Sequence, residues 1–191
     1  MTSPRSTCSP KSCMEGEYPW YTLVPAVEPL AQGDILHSVP FMFPAGESCG
    51  DSWVNCEEYD VIVMSQSCDL IEQKVDSVIL SSLFSLDEHI TEIARSDSKK
   101  AIVKTKNKLR RGEIIAYHLL NRCTIPGHES GYMFVDLKNP RSLPLEVVQH
   151  LAAGLPYRVR LCPPYREQLS QAFARVFMRV GLPSTIPEFT G

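Results

Sequence analysis

The sequence predicts an α+β protein, in which a small, strongly bent β-barrel carries a helical insertion and a C-terminal amphipathic helix. Six short segments rich in β-branched and aromatic residues are typical of strands, and irregular segments of varied length connect them. Two helical patterns interrupt the strands, and a longer amphipathic pattern follows the last strand. Short strands with irregular connections favour a barrel over a parallel sheet, whose strands are joined by regular crossover helices.

The clearest strand is the continuous β-branched run "DVIVM" at residues 60–64, which is typical of a buried strand. Pro40 limits the end of the first strand to a sheet edge or a bulge, because proline cannot donate a hydrogen bond to a ladder. Turn-forming residues at 44–58 predict a loop. The six predicted strands are 34–41, 60–64, 75–83, 113–119, 132–137 and 157–161.

Two helices form an αα insertion at about residues 85–111. Ser85 and Glu88 have the spacing of a capping box, in which each side chain satisfies a free amide of the first turn. A second, weakly amphipathic pattern covers 99–110, and Gly112 marks its end. We therefore expect two short helices between the third and fourth strands.

The C-terminal helix is the best-marked element. Pro163 and Pro164 mark its start and Gly181 its end. A shorter helix is predicted to begin at Ser142 and Pro144. One apolar stripe with helical spacing contains Leu169, Ala172, Phe173, Val176, Phe177 and Val180. We expect this stripe to pack against the core.

The composition indicates one domain with an N-terminal arm. Residues 1–30 hold five of the 15 prolines and several serines, so they predict a Pro/Ser-rich tail or arm. Within it, 19–21 and 23–24 are apolar enough to pack onto the body. Residues 31–191 form the single barrel domain. With no run of about 18 apolar residues and no export signal, we expect no membrane contact and a cytoplasmic location.

The chain has seven cysteines and no C-x-x-C pair, so reduced thiols are expected in the cytoplasm. A zinc site would need four nitrogen or sulfur ligands, usually from two close pairs. The weak candidate set is Cys49, Cys56, Cys123 and His128, spaced C-x6-C and C-x4-H. These spacings are loose, and we expect scattered thiols with no metal and no other cofactor.

Three segments, "QGDILHSVPF", "YDVIVMSQS" and "VDSVILSSL", together resemble the MazF/PemK-like toxin family over about residues 32–83. The resemblance implies an SH3-like barrel. It also implies a ribosome-independent RNA endonuclease or a gyrase inhibitor that a partner protein neutralises. Family members are commonly dimers, so the resemblance implies a homodimer as well.

The chain departs from this family at the catalytic arginine, which the family places just before the second strand. That place is occupied here by Cys56, Glu57, Glu58 and Tyr59. A cation that would stabilise the charged transition state is missing there, and two acids would repel a phosphate. The later serine or threonine of the family has a match at Ser81 or Ser82.

The stretch "SQSCD" at the end of the second strand contains the catalytic candidates Ser65, Cys68 and Asp69. A thiolate at a strand end could be stabilised by backbone amides, with His118 or His128 as its base. Alternatively, Cys68 is a small buried hydrophobic residue and Asp69 caps the following turn. We favour the structural interpretation.

Basic residues are concentrated at 95–111, which holds eight of the 19 lysines and arginines and one acid. The rest of the chain then has 11 basic residues against 21 acids, although the net charge is only −3. The segment could bind nucleic acid phosphates, dock on an acidic protein or remain solvated. It lacks aromatic residues, so it does not predict base stacking. Its candidate binding residues are Lys99, Lys100, Lys104, Lys106, Lys108, Arg110 and Arg111.

Three arginines of the last helix, Arg166, Arg175 and Arg179, could line a cleft or an interface rim. Our leading hypothesis is an interaction or regulatory module of a bacterial or phage defence or toxin-antitoxin-type system. It would bind a protein partner, RNA or both. One alternative is a metal-independent RNA endonuclease with a rearranged site, and another is a cysteine-dependent enzyme that uses Cys68.

Overall fold

The computed structural model of the chain describes residues 18–44 and 54–178. No helix in these two ranges is long and apolar enough to cross a lipid bilayer. The described strands are β1 (Tyr21–Pro25), β2 (Ile35–Pro44), β3 (Val54–Val63), β4 (Ser77–Ser85), β5 (Tyr117–Leu120), β6 (Met133–Asp136), β7 (Arg141–Pro144) and β8 (Tyr157–Leu161). The described helices are α1 (Ser67–Ile71), α2 (Leu86–Ala94), α3 (Lys99–Arg110), α4 (Leu145–Ala153) and α5 (Tyr165–Phe177).

The main sheet is antiparallel and has the order β2-β3-β4-β6-β5. Strand β7 pairs with the first half of β4 at Ser77–Leu80, while β6 pairs with its end at Leu83–Ser85. A separate two-stranded sheet joins β1 to β8. The α+β class is therefore confirmed. The pairing does not close into a barrel within the described part of the chain, and the SH3-like barrel stays a prediction.

The apolar end of β3 explains how the core is divided. Successive side chains of a strand point to opposite faces of the sheet. Val61 and Val63 accordingly enter one buried cluster, with β2, β4 and α4, while Ile62 enters a second cluster with β8 and α5. Both faces are covered, which is why residues 61–64, "VIVM", are continuously apolar and not alternating.

A third cluster holds the helical insertion against β5 and β6 through Leu86, Ile90, Leu109 and Phe134. The predicted helices at 85–111 are confirmed as α2 and α3. The capping box is wrong, because the Ser85 side chain makes no capping hydrogen bond. Strand β4 runs directly into α2, and the amide of Leu86 donates to the Tyr132 carbonyl at 2.9 Å. The residue before β6 thus satisfies the first amide of α2, which is not one of the two amides that a capping box would satisfy.

Two segments have a different structure from the one predicted. Residues 54–58 belong to β3 and are not a loop, since β2 supplies a continuous antiparallel partner from Pro44 to Pro40. Ser142 lies in β7, and the helix begins only at Leu145, because β4 offers a free edge to Arg141–Pro144. In both cases pairing with a distant strand outweighs local composition.

Part of the predicted N-terminal arm packs on the body, as the apolar character of 19–21 and 23–24 suggested. Residues Tyr21–Pro25 form β1 and pair with β8. The ring of Trp20 stacks on Tyr165 of α5, with ring centroids 3.7 Å apart. Residues 1–17 of the arm lie outside the described residues.

A buried ion cluster ties β8 to the start of the main sheet. Asp34 is fully buried, and its Oδ2 accepts hydrogen bonds from Arg158 Nε at 3.2 Å and Arg160 Nη2 at 3.0 Å. Arg160 Nε bonds to Oδ1 of the same carboxylate. Arg158 also donates to the Glu28 carbonyl at 2.7 Å. The two arginines of "YRVRL" are therefore structural, and their charge is compensated where water is excluded.

Gly33 precedes this aspartate and is required by close backbone packing. Its φ is +88°, and a Cβ built there would lie 3.1 Å from Leu161 Cβ. Its amide donates to the Val63 carbonyl, and its carbonyl accepts from the Leu161 amide, each at 2.9 Å. The Gly-Asp pair thus joins β3 to β8 and places Asp34 between them.

Candidate functional site

The candidate site is a cleft of about 540 Å³ between the end of α3, strand β5, helix α5 and the segment before β1. We call it the basic cleft. Residues on its wall that have a side-chain nitrogen able to bind a ligand are Trp20, Arg110, Arg111, His118, Asn121, Gln168, Gln171 and Arg175. The cleft therefore brings together candidates from the basic segment, from the C-terminal helix and from the predicted catalytic group.

Helix packing positions these side chains. Leu109 is buried in the third cluster, which anchors the last turn of α3 beside β5. The chain leaves α3 through Gly112, whose φ of +66° favours glycine. Leu169 is fully buried in the second cluster and anchors α5 on the opposite side. The arginines therefore lie at the ends of two anchored helices.

The charge of the cleft is one-sided. None of the described residues that line it is an aspartate or glutamate. Arg111 is paired with Glu113, with 2.5 Å between Nε and Oε1, whereas Arg110 and Arg175 have no ion pair within the described residues. A neighbouring cavity of about 710 Å³ has the carboxylates of Glu92 and Asp136 on its wall, so its charge is mixed.

His118 is a half-buried titratable group on the wall of the basic cleft. Burial lowers its pKa to about 4 from an ordinary value of 6.5, because a charged ring would lose its hydration. The ring is therefore neutral at pH 7, and its Nε2 atom is buried without a hydrogen-bond partner among the described residues.

The lowered pKa of His118 predicts a pH-dependent stability. The unfolded chain binds a proton near pH 6.5 and the folded chain only near pH 4, so stability is lost as the pH falls through this window. The expected loss is about 3 kcal/mol, since each pKa unit corresponds to about 1.4 kcal/mol. Urea unfolding at pH 7 and pH 4 should show a smaller difference for His118→Phe than for the original chain. Equal differences would contradict the buried neutral state.

The other catalytic candidates do not join His118. The Ser65 hydroxyl accepts a hydrogen bond from the Ile79 amide at 2.8 Å. Cys68 lies in α1 and is exposed, and its sulfur is 3.6 Å from Oδ1 of Asp69. The buried-thiol interpretation is therefore wrong. So is the cap by Asp69, because Asp69 lies inside α1 and the residue before the helix, Gln66, makes no side-chain capping hydrogen bond. The strand ends in a single helical turn that keeps the thiol at the surface.

The predicted basic residues are divided between ion pairs and free cations. Lys106 bonds to Asp87 of α2 at 2.8 Å, and Arg166 bonds to Glu167 at 2.7 Å. The exposed lysines of α3 with no ion pair among the described residues are Lys99, Lys100 and Lys104. Lys108 is half-buried near the end of the same helix. Arg179 lies outside the described residues.

The weak zinc set is not assembled within the described residues. Cys123 and His128 line one cavity of about 350 Å³, whereas Cys56 is exposed on β3. Cys49 lies outside the described residues. No group of three histidine, cysteine, aspartate or glutamate side chains in 18–44 and 54–178 could hold a metal ion.

Sequence reasoning missed the contact between Arg141 and Ser82. The guanidinium of Arg141 donates a hydrogen bond to the buried Ser82 hydroxyl. Its Cζ lies 4.1 Å from the ring centroid of Tyr59 and 5.3 Å from that of Phe41. Ser82 was a candidate by resemblance, but no local signal near Arg141 indicates that it reaches β4.

Sequence reasoning also missed the two glutamines on the wall of the basic cleft. Gln168, Gln171 and Arg175 follow one another at i, i+3 and i+7 on α5, which places them on one face. Their spacing was visible in the sequence, beside the apolar stripe. Only the folded chain places α3 opposite this face of α5, so that the two helices line one cleft.

Comparison with protein-family models finds no match, and comparison with curated proteins finds no significant match. The resemblance to the MazF/PemK-like family over residues 32–83 therefore stays a prediction. The features of the chain that bear on function are the basic cleft and the Arg141–Ser82 contact.

Proposed function

We propose that this protein is a regulatory binding module for single-stranded nucleic acid, with RNA as its expected form. The observation that carries the proposal is the meeting of Arg110 and Arg175, neither of them ion-paired within the described residues, on a cleft that no described carboxylate lines, in a chain of net charge −3. Cations gathered at one place in an acidic chain favour a local polyanion site over a general affinity for anions.

Helix α3 extends the site beyond the cleft. Its 12 residues make a ridge about 18 Å long. Exposed lysines occupy the first half of the ridge, and Arg110 and Arg111 stand at its end on the wall of the cleft. A strand could follow the ridge through phosphate contacts and enter the cleft at Arg110. This path supports binding of a single strand, since each phosphate contact adds affinity without base readout.

The wider setting of the proposal depends on the resemblance alone. The antiparallel arrangement of β2, β3 and β4 is compatible with an SH3-like barrel, and a defence or toxin-antitoxin-type role goes with that family. A protein partner, a homodimer and a cytoplasmic location stay predictions. An acidic protein surface competes directly with RNA for the same cations, so the experiment below includes one.

A metal-independent RNA endonuclease is the second candidate function, and the Arg141–Ser82 contact favours it. The resembling family combines a catalytic arginine with a later serine or threonine. Here an arginine from β7 reaches the hydroxyl of Ser82 on β4, although the place before the second strand lacks one. The thiol-enzyme alternative has less support, because the exposed Cys68 has no histidine within hydrogen-bonding distance among the described residues.

The test is incubation of the full chain with a long mixed-sequence RNA in EDTA, with binding and fragment lengths measured at several salt concentrations. We expect binding that weakens as salt rises, without cleavage. Arg110→Ala combined with Arg175→Ala should reduce the slope of log affinity against log salt by about 1.4, since each single-strand phosphate contact contributes about 0.7. Single-stranded DNA of the same sequence is the parallel ligand.

The matched control is Lys74→Ala, which removes a cation that pairs with Glu72 outside the basic cleft. It should leave the salt slope unchanged. Absence of salt-sensitive RNA binding would refute the proposal. A polyglutamate peptide that binds as tightly as RNA would show that the basic cleft binds an acidic protein surface instead. Discrete RNA fragments that disappear in Arg141→Ala would establish the endonuclease in its place.

A further inference from the structure

We infer that the basic cleft receives one unstacked nucleotide, with its base against Trp20 and His118 and its phosphate on Arg110 and Arg175. The inference rests on the proposed function and adds to it the unit that is recognised. A strand on α3 alone would be bound only through its backbone. A nucleotide in the cleft would add contacts to a base.

The size and the walls of the cleft fit such an occupant. Its volume of about 540 Å³ lies within the range of small-molecule sites, which is about 300–1,000 Å³. The wall is mixed, with apolar side chains such as Ile114 and Ala172 beside the arginines and amides. A nucleotide has the same division between a flat, largely apolar base and an anionic phosphate.

The Nε2 atom of His118 supplies a reason for a ligand at the inner wall. A buried polar atom without a partner is uncommon, because it has lost hydration without gaining a hydrogen bond. A neutral imidazole nitrogen donates in one tautomer and accepts in the other. The His118 ring lines the cleft while Nε2 itself is buried, so a base edge reaches this atom when the ring turns toward the cleft. The edge carries donors beside acceptors and then satisfies the atom in either tautomer.

Helix α5 supplies the remaining contacts, with amide side chains for the base and a guanidinium for the phosphate. Gln168 and Gln171 lie one helical turn apart on the wall, and Arg175 follows one turn later. An amide side chain offers a donor and an acceptor together, which suits a base edge, while a guanidinium suits a phosphate. The face is thus amide at one end and cationic at the other.

The aromatic wall is preformed. Trp20 is held by its stack on Tyr165, whose rings are within 10° of parallel, and the Trp20 carbonyl accepts a 2.8 Å hydrogen bond from the Cys162 amide. An indole fixed in this way can contact a base without first losing rotational freedom. Stacking on an aromatic ring tolerates any base, so we expect modest discrimination among the four nucleotides.

The experiment is calorimetric titration of the full chain with each of the four 5′-ribonucleoside monophosphates, and with inorganic phosphate as the probe for phosphate alone. We expect the nucleotides to bind at least tenfold more tightly than phosphate. His118→Phe and Gln171→Leu should each weaken nucleotide binding about tenfold. Gln171 is exposed on α5, so its replacement leaves the fold intact. His128→Phe is the matched control, because that half-buried histidine lines a different cavity.

The outcomes separate this inference from the proposed function. If long RNA binds with a salt slope but the nucleotides bind no better than phosphate, the inference is overturned and the RNA-binding module stands. If Gln171→Leu and His118→Phe bind nucleotides as well as the control does, the base lies elsewhere and the inference is again overturned. If neither RNA nor nucleotides bind, both proposals are refuted.

Discussion

Replacing Asp34 with alanine should lower the free energy of unfolding by about 3–5 kcal/mol, the usual cost of removing one partner from a buried ion pair. The substitution leaves two arginines without their carboxylate, one of them almost fully buried. Backbone carbonyls would still accept hydrogen bonds from both arginines, but they carry no compensating charge. The loss should therefore exceed that of any surface ion pair.

A thermal melt would measure this effect. For a chain of this size each 1 kcal/mol lowers Tm by about 2–4 °C, so a decrease of about 6–20 °C is expected. Glu72→Ala is the matched control, since it removes a carboxylate from the exposed pair with Lys74 and should cost less than about 1 kcal/mol. Equal melting temperatures for the two variants would show that Asp34 is not the buried link described here.

Replacing Leu169 with alanine should cost about 2–5 kcal/mol and should also weaken RNA binding. Leu169 belongs to α5 and is fully buried in the second cluster. Truncation of its side chain therefore leaves a cavity and loses apolar contacts. The same helix carries Arg175 and both cleft glutamines. Loosening its anchor should therefore disturb the wall of the basic cleft as well as the core.

Phe177→Ala tests the same helix at a position that is 53% exposed. It removes a larger side chain but should cost only about 1 kcal/mol or less, because most of that ring is already in water. Urea unfolding and RNA affinity should be measured on both variants. A larger loss in Phe177→Ala than in Leu169→Ala would mean that α5 packs through a different face.

Helix prediction succeeded where the signal is contained within one element. The start of α3 at Lys99 and its end before Gly112 follow from local propensity and from a residue that favours a positive φ. The apolar stripe of α5 indicated the side that meets the core, and Leu169, its first residue, is the one that is fully buried. These features depend on neighbours within four residues, which a sequence displays directly.

Strand prediction failed where a distant partner was needed. Strand β7 is only four residues long, and its sequence alone suggested the start of a helix. It is a strand because it pairs with Ser77–Leu80, more than 60 residues earlier. Strand β1 likewise depends on β8, near the other end of the chain. Short segments gain too little from their own residues to specify one conformation.

The candidate site shows the same division between local pattern and long-range contact. Residue chemistry was sufficient to select the basic segment, the arginines of the last helix and His118 as candidates. Only the folded chain brings Arg110 and Arg175 to one cleft, leaves Cys68 at the surface and buries Arg158 against Asp34, 124 positions away. Composition and periodicity describe what a segment is able to do. The packing of segments far apart in the chain decides which side chains meet, because burial and charge compensation exist only between them.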